Sequence, residues 1–404
     1  GAMATGVVIA GAARTPLGSF GGAFAGTSAT QLGARAIQGA LQKANLAKEE
    51  VEEVIMGNVL SAGLGQAPAR QAALGANLDT STCCTTINKV CSSGLKSVMY
   101  AAQSILLKNA DVVVAGGMEN MSRVPYYSMK ARYGHRMGPG QLDDGMILDG
   151  LWDPYGNMHM GSCAEECAKQ FDISRSCQDD YSVMSLSRAL EAQANGIFQD
   201  EIVPVEVKKR RDAVQVDQDE PIAKATLDEA KIRGLKPAFD RKAGTITAGN
   251  ASIISDGAAA VVVMGSDKAS RMEHVKPLAR IIGFADAEQE PIHFTTTPQL
   301  AIKKVLGRAG MDMADVDYFE INEAFSVVNI ANAKLLGMQD DDAFEKMNVF
   351  GGSVAMGHPI GCSGTRILVT LLNVLKQKDA TIGCAAICNG GGGASALLIE
   401  RLDA

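Results

Sequence analysis

The chain opens on an apolar run, Val7-Val8-Ile9-Ala10, that predicts a buried strand. A glycine-rich loop follows as far as Gly26, and apolar positions at helical spacing then predict a helix over 30–45. The same reading gives a strand within 51–60, a short helix over 67–74, an apolar-faced helix over 94–108 and a buried strand over 111–116. Near-continuous apolar strands alternating with helices imply an α/β protein whose sheets are covered on both faces.

The pattern then recurs. Thr30-Gln31-Leu32 opens a helix that leads to Val51-Glu-Glu-Val-Ile-Met-Gly-Asn58, and Pro298-Gln299-Leu300 opens one that leads to Val316-Asp-Tyr-Phe-Glu-Ile-Asn-Glu323. Cys91-Ser-Ser-Gly94 starts an apolar helix ending in Val114-Ala-Gly-Gly117; Gly361-Cys-Ser-Gly364 starts one ending in Cys388-Asn-Gly-Gly391. Four matches in the same order point to an internal duplication of two similarly folded halves, each expected to carry its own sheet. Residues 122–244 have no repeat partner. They hold Tyr126, Tyr127, Tyr133, the lone Trp152 and a charge-dense stretch from Lys208 to Arg241, with helical pieces over 162–171 and 178–194. They are expected to form an insertion covering the substrate. The apolar stretch 256–264 is expected to rejoin the first half. The division is therefore 4–121 with 245–273, the insertion 122–244, and the second half 274–404.

Composition narrows the function classes. Among 404 residues, 47% are hydrophobic and 21% charged, and the net charge is −7. That balance speaks against a nucleic-acid binder, which needs a basic surface, and no apolar run approaches the roughly 18 residues of a membrane-spanning helix. The run Lys208-Lys209-Arg210-Arg211 suits either a solvated edge or a place near an anionic ligand. Nine cysteines, an odd number, fit free thiols in a reducing compartment. Cys163 with Cys167 and Cys384 with Cys388 are four apart but have no nearby histidines, so no metal site is expected. Gly1-Ala2-Met3 reads as a cloning remnant, and the closing Arg401-Leu-Asp-Ala404 is not a peroxisomal address.

Four segments carry candidate chemistry. Cys91, in Asn88-Lys-Val-Cys-Ser-Ser-Gly94, sits where a strand-to-helix turn would expose the sulfur to the positive end of a helix, which favours thiolate; a buried inert cysteine would look the same. His358 lies among glycines in Gly351-Gly-Ser-Val-Ala-Met-Gly-His-Pro-Ile-Gly361, a loop made for close backbone approach rather than core filling. It is one of only five histidines, so a general base for the thiol has few other candidates. Asn322, in Glu320-Ile-Asn-Glu-Ala-Phe325, follows an apolar strand and offers an amide to an oxyanion or acts as a helix cap. Cys388 ends another apolar strand before four glycines, a loop suited to donating backbone N–H groups.

Together these segments resemble the thiolase family over essentially the whole chain. The matching motifs are Asn88-Lys-Val-Cys-Ser-Ser-Gly94, Gly116-Gly-Met-Glu-Asn-Met-Ser122, Asn322-Glu-Ala-Phe325, Gly357-His-Pro-Ile-Gly361 and Cys388-Asn-Gly-Gly391. The resemblance implies duplicated αβαβα halves in five layers with a large inserted loop domain. It implies that Cys91 is the nucleophile that becomes S-acetylated, activated by His358. Cys388 exchanges the proton on the methyl carbon of acetyl-CoA, for which a thiol of near-neutral pKa is expected. Asn322 holds a water that, with the His358 imidazole, binds one thioester oxygen, and the N–H groups of Cys91 and Gly390 bind the other. Ser252 and His159 would contact the pantetheine of coenzyme A, and Met160, Ala324 and Phe325 would shape the acyl pocket.

Within the family the likeness is to the biosynthetic, acetoacetyl-CoA branch, which condenses two acetyl-CoA reversibly into acetoacetyl-CoA and CoA. Cys84-Thr-Thr-Ile-Asn88, Gly65-Gln-Ala-Pro68, Gly161-Ser-Cys-Ala-Glu165 and Asn389-Gly-Gly-Gly-Gly-Ala394 look closest to its mitochondrial members, which also accept 2-methylacetoacetyl-CoA. This implies a mitochondrial matrix enzyme, with the cytoplasm as the alternative. The stretch 123–144 resembles the family's tetramerisation loop, implying a homotetramer. No cofactor is expected, the coenzyme A thioesters being substrates. Potassium activation is not expected either, because the family's potassium-binding tyrosine falls at Leu186. Two other readings stay open: a 3-ketoacyl-CoA thiolase for longer chains, and a non-catalytic coenzyme A-binding relative.

Overall fold

The computed structural model describes residues 6–209, 212–338 and 344–402. The opening Gly1-Ala2-Met3, the closing Asp403-Ala404 and Arg210 and Arg211 of the basic run lie outside the described residues; Lys208 is exposed on a hairpin strand. The strands that build the core are β1 (Val7–Arg14), β2 (Glu53–Gly57), β3 (Cys83–Ile87), β4 (Val112–Asn120), β5 (Ser255–Gly265), β6 (Ala279–Glu288), β7 (Tyr318–Ile321), β8 (Ile382–Asn389) and β9 (Gly393–Arg401). The helices that matter for the site are α1 (Ala29–Ala44), α2 (Pro68–Gly75), α3 (Ser93–Leu106), α4 (Met160–Gln170), α5 (Arg175–Ala194), α6 (Thr297–Ala309), α7 (Ser326–Leu335) and α8 (Ile360–Gln377).

The duplication is written in the hydrogen bonding. In the first half the spatial order is β3-β2-β4-β5-β1, and in the second it is β7-β8-β9-β6. β2 runs parallel to β4 as β7 runs parallel to β8, and β5 and β9 each return antiparallel between their neighbours. The counterpart of β3 is reduced in the second half to a single parallel bridge, Phe319 to Met347. The expectation of two separate sheets is corrected, however. β1 and β6 pair antiparallel at Val8–Arg280 and Ile9–Ala279, which joins the halves into one ten-stranded sheet, the tenth strand being the two-residue Gly18–Ser19 beside β5. The reason is simple: β1 and β6 are the inner edges of their halves, and a buried edge must satisfy its N–H and C=O groups.

Helices α1 and α2 cover the outer face of the first half, and α6 with the end of α7 covers that of the second. Between the two halves α3 and α8 share one apolar core with strands of both, including Ile9, Val113, Val261, Ile387 and Ile399. This is the five-layer stack. The two central helices meet at glycines. A Cβ on Gly94 would lie 2.7 Å from Thr365 Oγ1, and one on Gly364 would lie 2.3 Å from Leu95 N, so neither position has room for a side chain. Their N-termini therefore come together, which is what places the repeated Cys-Ser-Ser-Gly and Gly-Cys-Ser-Gly segments side by side.

The inserted region is fixed to this frame by a buried ion cluster. Arg14, at the end of β1, donates to Glu201 (2.6 Å) and to both oxygens of Asp219 (2.7 and 2.9 Å), and Glu201 also accepts from Asn373 and Thr370 of α8. Three short hairpins project from the inserted region, at Tyr126–Tyr127 with Asp143–Asp144, Trp152–Asp153 with Met158–His159, and Val205–Lys209 with Asp212–Val216.

Candidate active site

Cys91 is held by a turn that its own side chains lock. Asn88 Oδ1 accepts from Val90 N–H (2.8 Å), Ser93 Oγ accepts from Lys89 N–H (2.8 Å), and the Ser93 hydroxyl donates to Val90 O (2.6 Å). Val90 lies at φ +47°, a left-handed conformation that a β-branched residue adopts only under constraint. The turn sets Cys91 just before α3, where the residue as a whole is half-buried.

Cys388 reaches the same place from the other half, at the buried end of β8. Ser92 Oγ lies 2.8 Å from Asn389 Oδ1 and 3.1 Å from Ile387 O, so the residue after Cys91 sits between the two neighbours of Cys388. The two sulfurs are close enough that charge on Cys91 disfavours charge on Cys388. The backbone N–H groups of Gly390 and of Cys91 itself both favour charge on the Cys91 sulfur.

Asn322 follows β7 and is tied to β8 by its N–H to Ala386 O (2.9 Å). It does not cap α7, since the residue in that position is Phe325 and no side chain bonds the helix start. Its amide oxygen accepts from Ser353 Oγ at 2.7 Å, and its Nδ2 is buried with no partner among the described residues. His358 N–H donates to Ile253 O (2.8 Å), Ile253 N–H to Ser353 O (3.3 Å) and Ser252 N–H to Ala324 O (3.0 Å). One web of hydrogen bonds thus joins the loops of residues 252, 322 and 358 to β8.

The tautomer of His358 follows from its neighbour. Ser363 Oγ donates its single proton to Pro359 O (3.0 Å), so towards His358 Nδ1, 2.5 Å away, it can only accept. The ring proton is therefore on Nδ1. Nε2 carries a free lone pair, buried and without a partner. Burial and the Arg366 guanidinium lower the imidazole pKa to about 3, so the ring is neutral.

Burial also corrects two expectations about the thiols. The Cys91 thiol is pushed up to about 12, because desolvation outweighs the N–H groups that favour its charge, and Cys388 is pushed well above the ordinary thiol range by burial and by the Cys91 sulfur. Burial thus favours two protonated thiols and a neutral imidazole at rest. Burial opposes both the thiolate expected of Cys91 and the near-neutral thiol expected of Cys388.

A cleft of about 620 Å³ is lined by Val90 and Gly390, near neighbours in sequence of the two cysteines, with Asn88, and by Leu148, Trp152, Tyr155 and Met160 of the inserted region. A larger groove of about 1230 Å³, between α1 and the 205–216 hairpin, shares no lining residue with it and touches no segment next to a candidate group. Phe325, Ala324 and Met160 belong with Cys388 to one apolar cluster, so these three expected pocket residues are brought together. His159 caps α4 by accepting Gly161 N–H on Nδ1 (3.0 Å) and stacks on Phe239 at 4.7 Å; Ser252 is half-buried on its loop.

Sequence reasoning assigned no role to Ser353, Ser363 or Glu119. Glu119, inside a quoted motif, accepts from Asn58 Nδ2 and the N–H groups of Val59, Leu60 and Gly361, fastening the His358 loop to β4. Its burial raises its pKa to about 7. A lone carboxylate inside a Gly-Met-Glu-Asn run was the only sign available.

Two family models match the chain, the thiolase N-terminal domain over residues 7–267 and the thiolase C-terminal domain over residues 275–401. Acetyl-CoA acetyltransferase 2 of Arabidopsis thaliana is 56% identical over 398 residues, 98% of this chain and 97% of that protein. The mitochondrial acetyl-CoA acetyltransferase of Rattus norvegicus is 51% identical over 98% of this chain and 91% of its own length. Among solved structures, the Bacillus anthracis acetyl-CoA acetyltransferase superposes with a TM-score of 0.94 at 40% identity, covering 98% of this chain and 99% of that one.

Proposed function

The chain belongs to the thiolase family, and from that premise we propose that it is an acetyl-CoA C-acetyltransferase working through an S-acetyl-Cys91 intermediate. The observation that supports this reading most is the meeting of two thiols, one from each half, with the unpartnered Nε2 of His358 and Nδ2 of Asn322 on loops that Ile253 and Ser353 hydrogen-bond to one another. In the first half-reaction the Cys91 proton passes to Nε2 as the sulfur attacks the thioester carbonyl. The C–S bond to coenzyme A breaks, and the departing thiolate takes the proton. When Nε2 holds a proton again in the second half-reaction it is a donor, so one nitrogen serves first as base and then, with the water held by Asn322, as the oxyanion site for the second thioester. The N–H groups of Gly390 and Cys91 serve the acyl carbonyl on Cys91.

In the second half-reaction Cys388 gives its proton to Nε2 and takes one from the methyl carbon of a second acetyl-CoA. The carbanion attacks the acetyl group, and Cys91 leaves with the proton from Nε2, which restores every group. In thiolysis the steps run backwards, and the high pKa of Cys388 suits it to protonating the departing carbanion. Ser252 and His159 would meet the pantetheine, and Phe325, Ala324 and Met160 would limit the acyl chain.

A substrate panel tests this. Thiolysis is expected to be fastest on acetoacetyl-CoA, slower on 2-methylacetoacetyl-CoA and slowest on 3-ketohexadecanoyl-CoA, with no gain from potassium. Leu186, packed with the buried core near Phe198, offers no oxygen to a cation. Faster turnover of the long chain would overturn the choice of substrate. Similarity to a mitochondrial relative supports a matrix location, with the cytoplasm as the alternative. Exposed Tyr126, Met129, Tyr133 and Met137 support the homotetramer reading of 123–144.

The pKa shifts have a kinetic consequence. His358 accepts a proton in the resting enzyme only near pH 3, and Cys91 loses one only near pH 12. Lowering the imidazole value moves the acid loss of activity downward, and raising the thiol value moves any gain from free thiolate upward. Single-turnover acetylation of Cys91 should therefore be nearly level from about pH 6 to about pH 9, and a limb near the ordinary imidazole value of about 6.5 would contradict the neutral resting state.

A further inference from the structure

Asn322 can work as proposed only if its amide is turned the right way, and an amide in a buried cavity has two orientations with nearly the same shape. Something must choose. Ser353 Oγ lies 2.7 Å from Asn322 Oδ1, and the only other side-chain group hydrogen-bonded to that hydroxyl among the described residues is Arg366 Nη2, at 3.5 Å. Both residues are fully buried. A guanidinium has donors only, so Arg366 commits the serine oxygen to accepting on that side. The serine proton then has one destination, the Asn322 oxygen. Were the amide reversed, Nδ2 and Nη2 would both point donors at the hydroxyl, whose own proton would be left buried without an acceptor.

We propose that Ser353 is a positioning residue for the carbon–carbon bond-forming step: backed by Arg366, it holds the Asn322 amide so that Nδ2 is turned to the water that binds the reacting thioester oxygen. The inference rests on the reading of Asn322 given above and adds to it the residue that enforces the orientation. Arg366 has a second effect in the same sense, since its charge helps keep His358 neutral.

The test compares Ser353→Ala, Asn322→Ala and the double variant in separated half-reactions: labelled acetyl-enzyme formation, and condensation from acetyl-enzyme made beforehand. Ser353→Ala should lose roughly tenfold to a hundredfold in condensation, less than outright removal of an oxyanion donor, with little change in KM. The double variant should be no slower than Asn322→Ala alone, because the serine acts only through the amide. Ser353→Cys, with a weaker donor in the same place, should fall between the wild type and Ser353→Ala. If Asn322→Ala condenses at the wild-type rate, the reading of Asn322 fails. If Asn322→Ala is slow while Ser353→Ala is not, or if the two losses multiply, the positioning role fails on its own.

Discussion

Cys91→Ala is expected to leave no acetyl group on the protein after incubation with labelled acetyl-CoA, and to lower thiolysis of acetoacetyl-CoA by at least about 10⁴-fold. The size of the effect follows from what no other group can supply. Cys388 has a sulfur nearby, but it lies at the buried end of β8, and burial together with the Cys91 sulfur keeps its thiol protonated. It also lacks the left-handed turn at Val90 and the helix start that hold Cys91. The substitution removes only the thiol sulfur from a partly exposed position, so the fold should survive and coenzyme A should still bind. Intact-mass measurement after quenching checks the first half of the prediction, and the thiolysis rate checks the second. An acetylated alanine variant would mean that another residue is the acyl acceptor.

The same residues show what a sequence can and cannot disclose. Cys91, Asn322, His358 and Cys388 stand out as candidates because each sits in a short motif whose local geometry is set by its neighbours: glycines about His358, a helix start after Cys91, a strand end before Cys388. The repeat was readable because four segments recur in order. Its joining into a continuous sheet was not, since the pairing of β1 with β6 takes only two residues on each strand, in segments with no shared motif. The shrinkage of the fifth strand of the second half to a bridge at Met347 left no periodic trace. The protonation states are not legible in the sequence for a physical reason. A helix start argues for thiolate, but its pull on the sulfur is modest against full desolvation, and burial is a property of the assembled layers rather than of a motif. Ser353, Ser363 and Glu119 were missed for the same cause: their importance lies in the partner each meets after folding, not in their own chemistry. Short hairpins in the inserted region, two residues to a strand at 126–127 and 152–153, fall below the length at which alternation can be seen.

Cys388→Ser should separate the two half-reactions. Acetylation of Cys91 asks nothing of Cys388, so labelled acetyl-enzyme should form at close to the wild-type rate. Condensation needs a group that gives up its proton and then takes one from carbon, and losing that exchange should cost on the order of 10²- to 10⁴-fold. A hydroxyl is a far weaker acid than a thiol. In a site where burial already drives even the thiol well above its ordinary range, a serine oxygen would hold its proton throughout. The change is nearly isosteric within a cluster of Phe325, Ala324 and Cys163, so loss of packing should not account for the defect. The decisive measurement is exchange of the methyl protons of acetyl-CoA with solvent deuterium. The wild type should catalyse it and Cys388→Ser should not, while both carry the acetyl group on Cys91. A serine variant that exchanges methyl protons at the wild-type rate would move the acid–base role to another group, and His358, with its unpartnered Nε2, would be the first to examine.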